Sequence, residues 1–418
     1  MTFWDASALV GIWALILSCA HFLTRQSPFF REKTQGAAPG EIVPLNSLRG
    51  ILAFSVFFSH VAVSYGFWRT GVWVSPNSYF LEQLAAVPVL LFFYLSGFLF
   101  WSKLMTAHES GKPFAWARFF RSRFCRMVPA YLVSFGVVLF IVSLRAQGDW
   151  KESFPKIAGE IARWVTFGIP DGTFPAINQD PHSQIINAAV TWTLRYEWLF
   201  IFSLPLLFWF AAKHRLLALM PLLAAVYFIL RRPVFGTAIA DGTAGWYVHT
   251  ILGFLTFLGS GFGGGMLTAY FLRLCKNKAW LKHPAVTVVL LASLCGLFYG
   301  PIPWLSLPLH RTLLLLVFMP IAAGNTVFGF LEWRTTRALG LISYSIYLFH
   351  GIVLYTVTTA VNQFYPIAEM EFSAYWLVAT IAATTTVFLS AWVFRGIEYP
   401  SMQRGPRYGR SPVAEKLL

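Results

Sequence analysis

The sequence predicts an all-α integral membrane protein of about eleven transmembrane helices. Three observations predict it. Of the 418 residues, 57% are hydrophobic and 12% charged, a balance that suits a polytopic membrane protein and excludes a soluble enzyme built around one core. Apolar runs near the ~20 residues needed to cross hydrocarbon recur along the whole length. The basic residues are concentrated in alternate gaps between those runs.

Taken in order, the first run is 6–24. It follows "MTFWDASALV", which holds an acid and no base. A secretory signal begins basic, so this run reads as a retained N-terminal helix. Runs 46–66, 84–104 and 128–146 come next. A loop at 147–189 contains "GIPDGTFPAINQDPHSQ". It is expected to be irregular, with a short amphipathic helix near 157–167, and long enough to serve as a lid or an acceptor-binding surface. Seven further runs follow: 190–212, 215–230, 247–272, 284–300, 310–328, 338–361 and 374–396. The stretch "GSGFGGG" at 259–265 lacks the lysine and the strand–helix context of a phosphate loop, and reads as close helix packing or a kink. No fixed-period repeat is visible, nor a matched pair of broken helices of the kind that marks an inverted-repeat transporter. The chain reads as a single membrane domain, 1–418, ending in a short cytoplasmic tail at 397–418.

With Met1 outside, the inner segments hold 22 of the 32 Lys and Arg and the outer segments 8, while Arg49 and Arg195 fall inside spans. That asymmetry predicts N-terminus out and C-terminus in. It accounts for most of the net charge of +15, so no nucleic-acid partner is expected. None of the four cysteines falls in an outer loop, and no disulfide framework or metal site is expected.

Ionisable groups at membrane depth are costly, and mark functional sites by default. Glu197 lies about seven residues into its span. His60 and His350 lie well inside theirs. At ~1.5 Å per residue, these three sit roughly 10, 9 and 16 Å from the outer ends of their helices. A lone buried histidine is more often structural; three such groups at overlapping depth point to a polar site. Arg49 shares a helix and nearly one face with His60, about 16 Å away, although snorkelling to inner headgroups also explains it. "RFFRSRFCRMVPAYL" puts four arginines within nine residues. Topology signalling and anionic-lipid contact explain them, as does a phosphate site, since guanidinium forks match phosphate oxygens.

Together these segments resemble the membrane-bound acyltransferase-3 family over about 43–400. Arg49 and His60 in "LRGILAFSVFFSH" match its arginine–ten residues–histidine motif. "FFYLSGFLF", with Ser96 and Gly97, is similar to its second-helix pattern. "RFCR" matches its RxxR motif at Arg123 and Arg126. "TWTLRYEWLF" supplies Trp192 and Glu197, and "LGLISYSIYLFH" supplies Ser343, Tyr344, Tyr347 and His350. "IEYP" matches its closing helix.

The resemblance implies a ten-helix core plus one extra N-terminal helix. It also implies transfer of an acyl group, commonly acetyl, from cytoplasmic acyl-CoA to a hydroxyl of an extracytoplasmic or lipid-linked glycan. The setting would be a multi-pass position in a cell membrane, the inner membrane in a bacterium. Arg123, Arg126 and Arg49 would hold the phosphates of acyl-CoA as cosubstrate, with no permanently bound cofactor. His60 would act as general base or carry the acyl group itself. Glu197 would orient His60 or the acceptor. Ser343, Tyr344 and His350 would stabilise an oxyanion or bind the acceptor, and Trp192 would stack on a sugar. A proton-coupled transporter using the same His and Glu, and a polysaccharide-export component whose arginines bind lipid phosphates, remain open at this point.

Overall fold

The computed structural model describes residues 3–37, 40–169, 172–214, 254–255, 257–300 and 307–405. Among these it is helical, with no strand. The helices are α1 (Phe3–Gln26), α2 (Pro28–Thr34), α3 (Val43–Thr70), α4 (Tyr79–Glu109), α5 (Trp116–Ala146), α6 (Phe154–Val165) and α7 (Trp192–His214). They continue with α8 (Gly263–Leu274), α9 (Pro284–Tyr299), α10 (Leu307–Ala322), α11 (Arg334–Leu341), α12 (Ser343–Phe364), α13 (Phe372–Val393) and α14 (Tyr399–Arg404).

Among the described residues, six helices are long and apolar enough to cross a membrane: Ser7–Gln26, Val43–Thr70, Tyr79–Glu109, Trp116–Ala146, Ser343–Phe364 and Phe372–Arg404. The expected eleven therefore resolve unevenly. The runs 284–300 and 310–328 correspond to shorter apolar helices. The run 190–212 corresponds to α7, whose first two turns carry Arg195 and Glu197. The run 247–272 is described from residue 254 as a π-helical turn, Leu258–Phe262, leading into α8. The run 215–230 lies outside the described residues. The run 338–361 is split at Ile342 into α11 and α12.

α3 is the central element. It packs on α4, α11 and α12, and 72% of its most apolar window is buried, against 33% for α1. α1 lies against α11 and α13 at the periphery. Proline opens α3 inside its first turn, where a missing N–H costs nothing, and Gly71 (φ +74°) closes it in the left-handed conformation. Glycines let the backbones meet. A Cβ on Gly50 would fall 2.5 Å from the Leu339 carbonyl carbon, and one on Gly340 2.1 Å from the Asn46 oxygen. Gly97 lies against Phe262, and Gly265 against the Tyr94 backbone, so the glycine-rich stretch packs α8 closely on α4.

The described residues of 147–191 are packed rather than loose. α6 buries Trp164, whose ring stacks on Phe135 at 5.4 Å and whose indole N–H donates to the Pro175 carbonyl at 2.9 Å. Arg145 pairs with Asp180 at 2.7 Å. The chain then descends along α12 in turns. Tyr355 meets His182 at 3.2 Å, Gly351 abuts the Asn187–Ala188 backbone, and the Tyr347 hydroxyl donates to the Val190 carbonyl at 3.1 Å. Ala188 and Ala189 take φ of +56° and +54°. Non-helical backbone at this depth is tolerated where protein surrounds it, and Ile186, Asn187, Ala188 and Val190 are all buried.

Candidate functional site

α3 carries three positions on its way through the bundle: Arg49, then Val56, then His60. Each has a different environment.

Arg49 opens into a cavity of about 90 Å³ whose other cations are Arg123 and Arg126 of α5. The Arg123 guanidinium lies over the Phe100 ring at 5.2 Å. Lys103 of α4 is within electrostatic range of all three arginines. Glu197 lines the same cavity and accepts a hydrogen bond from Ser96 Oγ at 3.0 Å. Ser343 and Tyr344 also line it; the Tyr344 hydroxyl donates to the Met127 carbonyl at 2.8 Å, beside Arg126. Glu398, buried and bonded by Ser345 at 2.9 Å, is within electrostatic range of Arg126 and Arg49. Three guanidiniums, with Glu197 lining the same cavity and Glu398 nearby, leave an excess of positive charge at this end. Its far end is formed by Thr193, Tyr347, Val89 and Phe92, where the Tyr347 hydroxyl and Thr193 Oγ1 are 2.6 Å apart.

Beyond that end lies a small apolar cluster of Val56, Ala188, Val190 and Tyr347, with Trp73, Val89 and Phe92 packed on it. His60 and His350 lie on its other side, one turn further along α3 and α12, and do not line the cavity. Their rings face each other edge to edge. His60 Nδ1 and His350 Nε2 are 2.9 Å apart, with ring centroids 5.2 Å apart and planes at 16°. His350 is fully buried and its Nδ1 lies 3.0 Å from the Ile346 carbonyl. His60 is half-buried, and Trp73 covers it at 6.2 Å and 30°.

The structure thus brings Arg49, Arg123, Arg126, Glu197, Ser343 and Tyr344 into one cavity, and His60 and His350 into a pair beside it. It places Trp192 elsewhere, 36% exposed and packed on Tyr196 and Phe257. Reading depth from the start of the run puts Glu197 level with His60. In the structure the chain has already descended along α12 before α7 begins, so Glu197 sits beside Ser96. The group within hydrogen-bond distance of His60 Nδ1 is His350. Lys103, Thr193 and Trp73 are additions. Lys103 was legible, being seven residues, or two turns on one face, after Ser96. The contact between His60 and His350, 290 residues apart in sequence, was not.

Apolar spans enclosing a cationic cavity with a histidine pair beside it define a multi-pass membrane protein with an intramembrane polar site. The acyltransferase-3 family, whose model is described as an acyltransferase domain, matches residues 42–395. The chain belongs to that family and is a membrane acyltransferase. The match begins just before α3, leaving α1 and α2 outside it. No curated protein and no solved structure matches the chain.

Proposed function

We propose that the protein moves an acyl group, acetyl in the first instance, from cytoplasmic acyl-CoA to a hydroxyl of an extracytoplasmic or lipid-linked glycan. The single observation supporting this is the cavity that runs from Arg49, Arg123 and Arg126 to Tyr347, the residue whose ring lies 6.1 Å from that of His350. The arginine end faces the cytoplasm, in keeping with the excess of basic residues in the segments at that end.

Arg123 and Arg126 hold the phosphates of acyl-CoA by bidentate contacts, and Lys103 and Arg49 add charge. The thioester lies along the apolar wall of Phe92, Phe93 and Leu95. For its acyl end to reach His60, the side chains that close the cavity at Tyr347 and Phe92 must turn aside. There the acceptor hydroxyl gives its proton to His60 and its oxygen attacks the thioester carbonyl. The C–S bond breaks, and the thiolate leaves as CoA-SH with the proton returned by His60. Glu197 sits near the arginines, where it limits their mutual repulsion and keeps the site from holding CoA too tightly.

The experiment is transfer of labelled acetyl from acetyl-CoA to glycan in proteoliposomes, paired with analysis of surface glycans for ester-linked acyl groups with and without the gene. His60→Ala is expected to abolish transfer while the protein still inserts. A barrier between two sides and a histidine pair also suit a proton-coupled transporter. That reading requires substrate flux that is independent of acyl-CoA, which the same proteoliposomes measure.

A further inference from the structure

We propose that His350 is a positioning residue that fixes the tautomer and aim of His60, taking the place at which a carboxylate stands in a serine-hydrolase triad. The inference rests on the reading of His60 as the general base, and goes beyond it by naming the ring nitrogen that acts.

A carbonyl oxygen only accepts hydrogen bonds. The Ile346 oxygen, 3.0 Å from His350 Nδ1, therefore puts the proton of the uncharged His350 ring on Nδ1. Its Nε2 then carries a lone pair. That lone pair faces His60 Nδ1 at 2.9 Å, so His60 must carry its own proton on Nδ1. His60 Nε2 is left as the free base, on the opposite edge of the ring. The geometry is in line: once the 2.9 Å bond is subtracted from the 5.2 Å between centroids, only one imidazole radius remains at each end. The two nitrogens thus lie on the line joining the rings.

His350 is fully buried and His60 half-buried, so of the two only His60 presents an edge to a substrate. When His60 Nε2 accepts the hydroxyl proton, its Nδ1–H still donates to His350, which holds the imidazolium in place. His350 neither gains nor loses a proton over the cycle. Ile346 and His350 are four residues apart on α12, so the anchor is the helix itself. The rotation of His350 is further limited by the Phe57 ring at 6.3 Å.

Two readouts test this. The first is the ¹⁵N spectrum of histidine-labelled protein in bilayers, assigned by difference with His60→Gln. A pyrrole-type Nδ1 and a pyridine-type Nε2 on His60 are expected; the reverse assignment overturns the proposal. This needs no acyl-CoA, so a failure of the proposed function and a failure of this assignment are separate outcomes. The second is a comparison of His350→Gln with His350→Asn. Glutamine places its Oε1 where Nε2 stood and can still accept from His60; asparagine ends one atom short. His350→Asn is expected to lower kcat by about 10²-fold, the usual worth of a positioned base, with KM for acyl-CoA unchanged. His350→Gln is expected to retain at least about a tenth of the wild-type kcat. Equal losses in the two variants, or a loss falling on KM, would mean that His350 only fills space.

Discussion

At the scale of single residues, the cations define the proposed cosubstrate end most sharply. Arg123 and Arg126 share the cavity with Arg49, and a charge-assisted contact to a phosphate contributes about 1.5–3 kcal/mol. Arg123→Ala and Arg126→Ala are each expected to raise KM for acetyl-CoA by roughly tenfold or more, with kcat little changed. Steady-state kinetics at fixed acceptor checks this; an unchanged KM would return both residues to topology signals. Lys103 gives a finer contrast. Lys103→Met removes a charge and is expected to raise KM, while Lys103→Arg keeps it. Much of this site was legible in the sequence because charge is expensive in lipid: Arg49, His60, Glu197 and His350 stand out against an apolar background. Their pairing was not legible. Whether His60 faces Glu197 or His350 depends on where α7 begins, and an apolar stretch such as "IINAAVTWTL" reads equally well as helix or as buried turns.

At the scale of elements, the glycines that bring helices together carry their own expectation. Gly50 and Gly66 both lie in α3. A Cβ on Gly66 meets nothing within 4 Å, whereas one on Gly50 lands on the Leu339 backbone. Gly66→Ala is therefore expected to be neutral or mildly stabilising through helix propensity, by up to about 1 kcal/mol. Gly50→Ala pushes α3 from α11 and is expected to cost about 1–3 kcal/mol. Thermal unfolding in detergent measures the difference, and equal melting temperatures would refute the close contact.

The turn segment over α12 has a pH dependence. Burial first, and the Arg145 charge second, lower the pKa of His182. The folded form thus favours neutral His182, and the unfolded chain binds the extra proton. Stability from this group is present above the ordinary histidine pKa of about 6.5 and is lost as pH falls below it. The protection of amides at residues 180–190, taken relative to their intrinsic exchange rate at each pH, is expected to fall as pH drops below about 6.5, and His182→Gln to remove that change. The helix at 154–165 was visible in advance from its amphipathic pattern; the turns that follow it were not, since positive φ at two alanines has no sequence signal.

At the scale of the whole molecule, the site is divided. The cavity ends at Tyr347, Val89 and Phe92, and Val56, Ala188 and Val190 complete the partition with buried apolar side chains. A passage drawn straight along α3 from Arg49 to His60 is interrupted at Val56. An enzyme that takes a thioester from one side of a membrane and an alcohol from the other gains from such a partition, because it keeps water from the thioester until the acceptor is in place. Phe92 is the member best placed to test this: its ring meets Tyr347 at 6.0 Å and it lines the cavity directly. Phe92→Ala opens a gap in the partition. Release of free CoA from acetyl-CoA without any glycan acceptor is expected to rise by roughly an order of magnitude over wild type. The arginines are untouched, but Phe92 also borders the proposed thioester path, so KM for acetyl-CoA is expected to rise less than in the arginine variants. The protein must remain folded for the comparison, which size-exclusion chromatography in detergent verifies. Folded Phe92→Ala that hydrolyses no faster than wild type would mean that the apolar cluster is packing and not a water barrier.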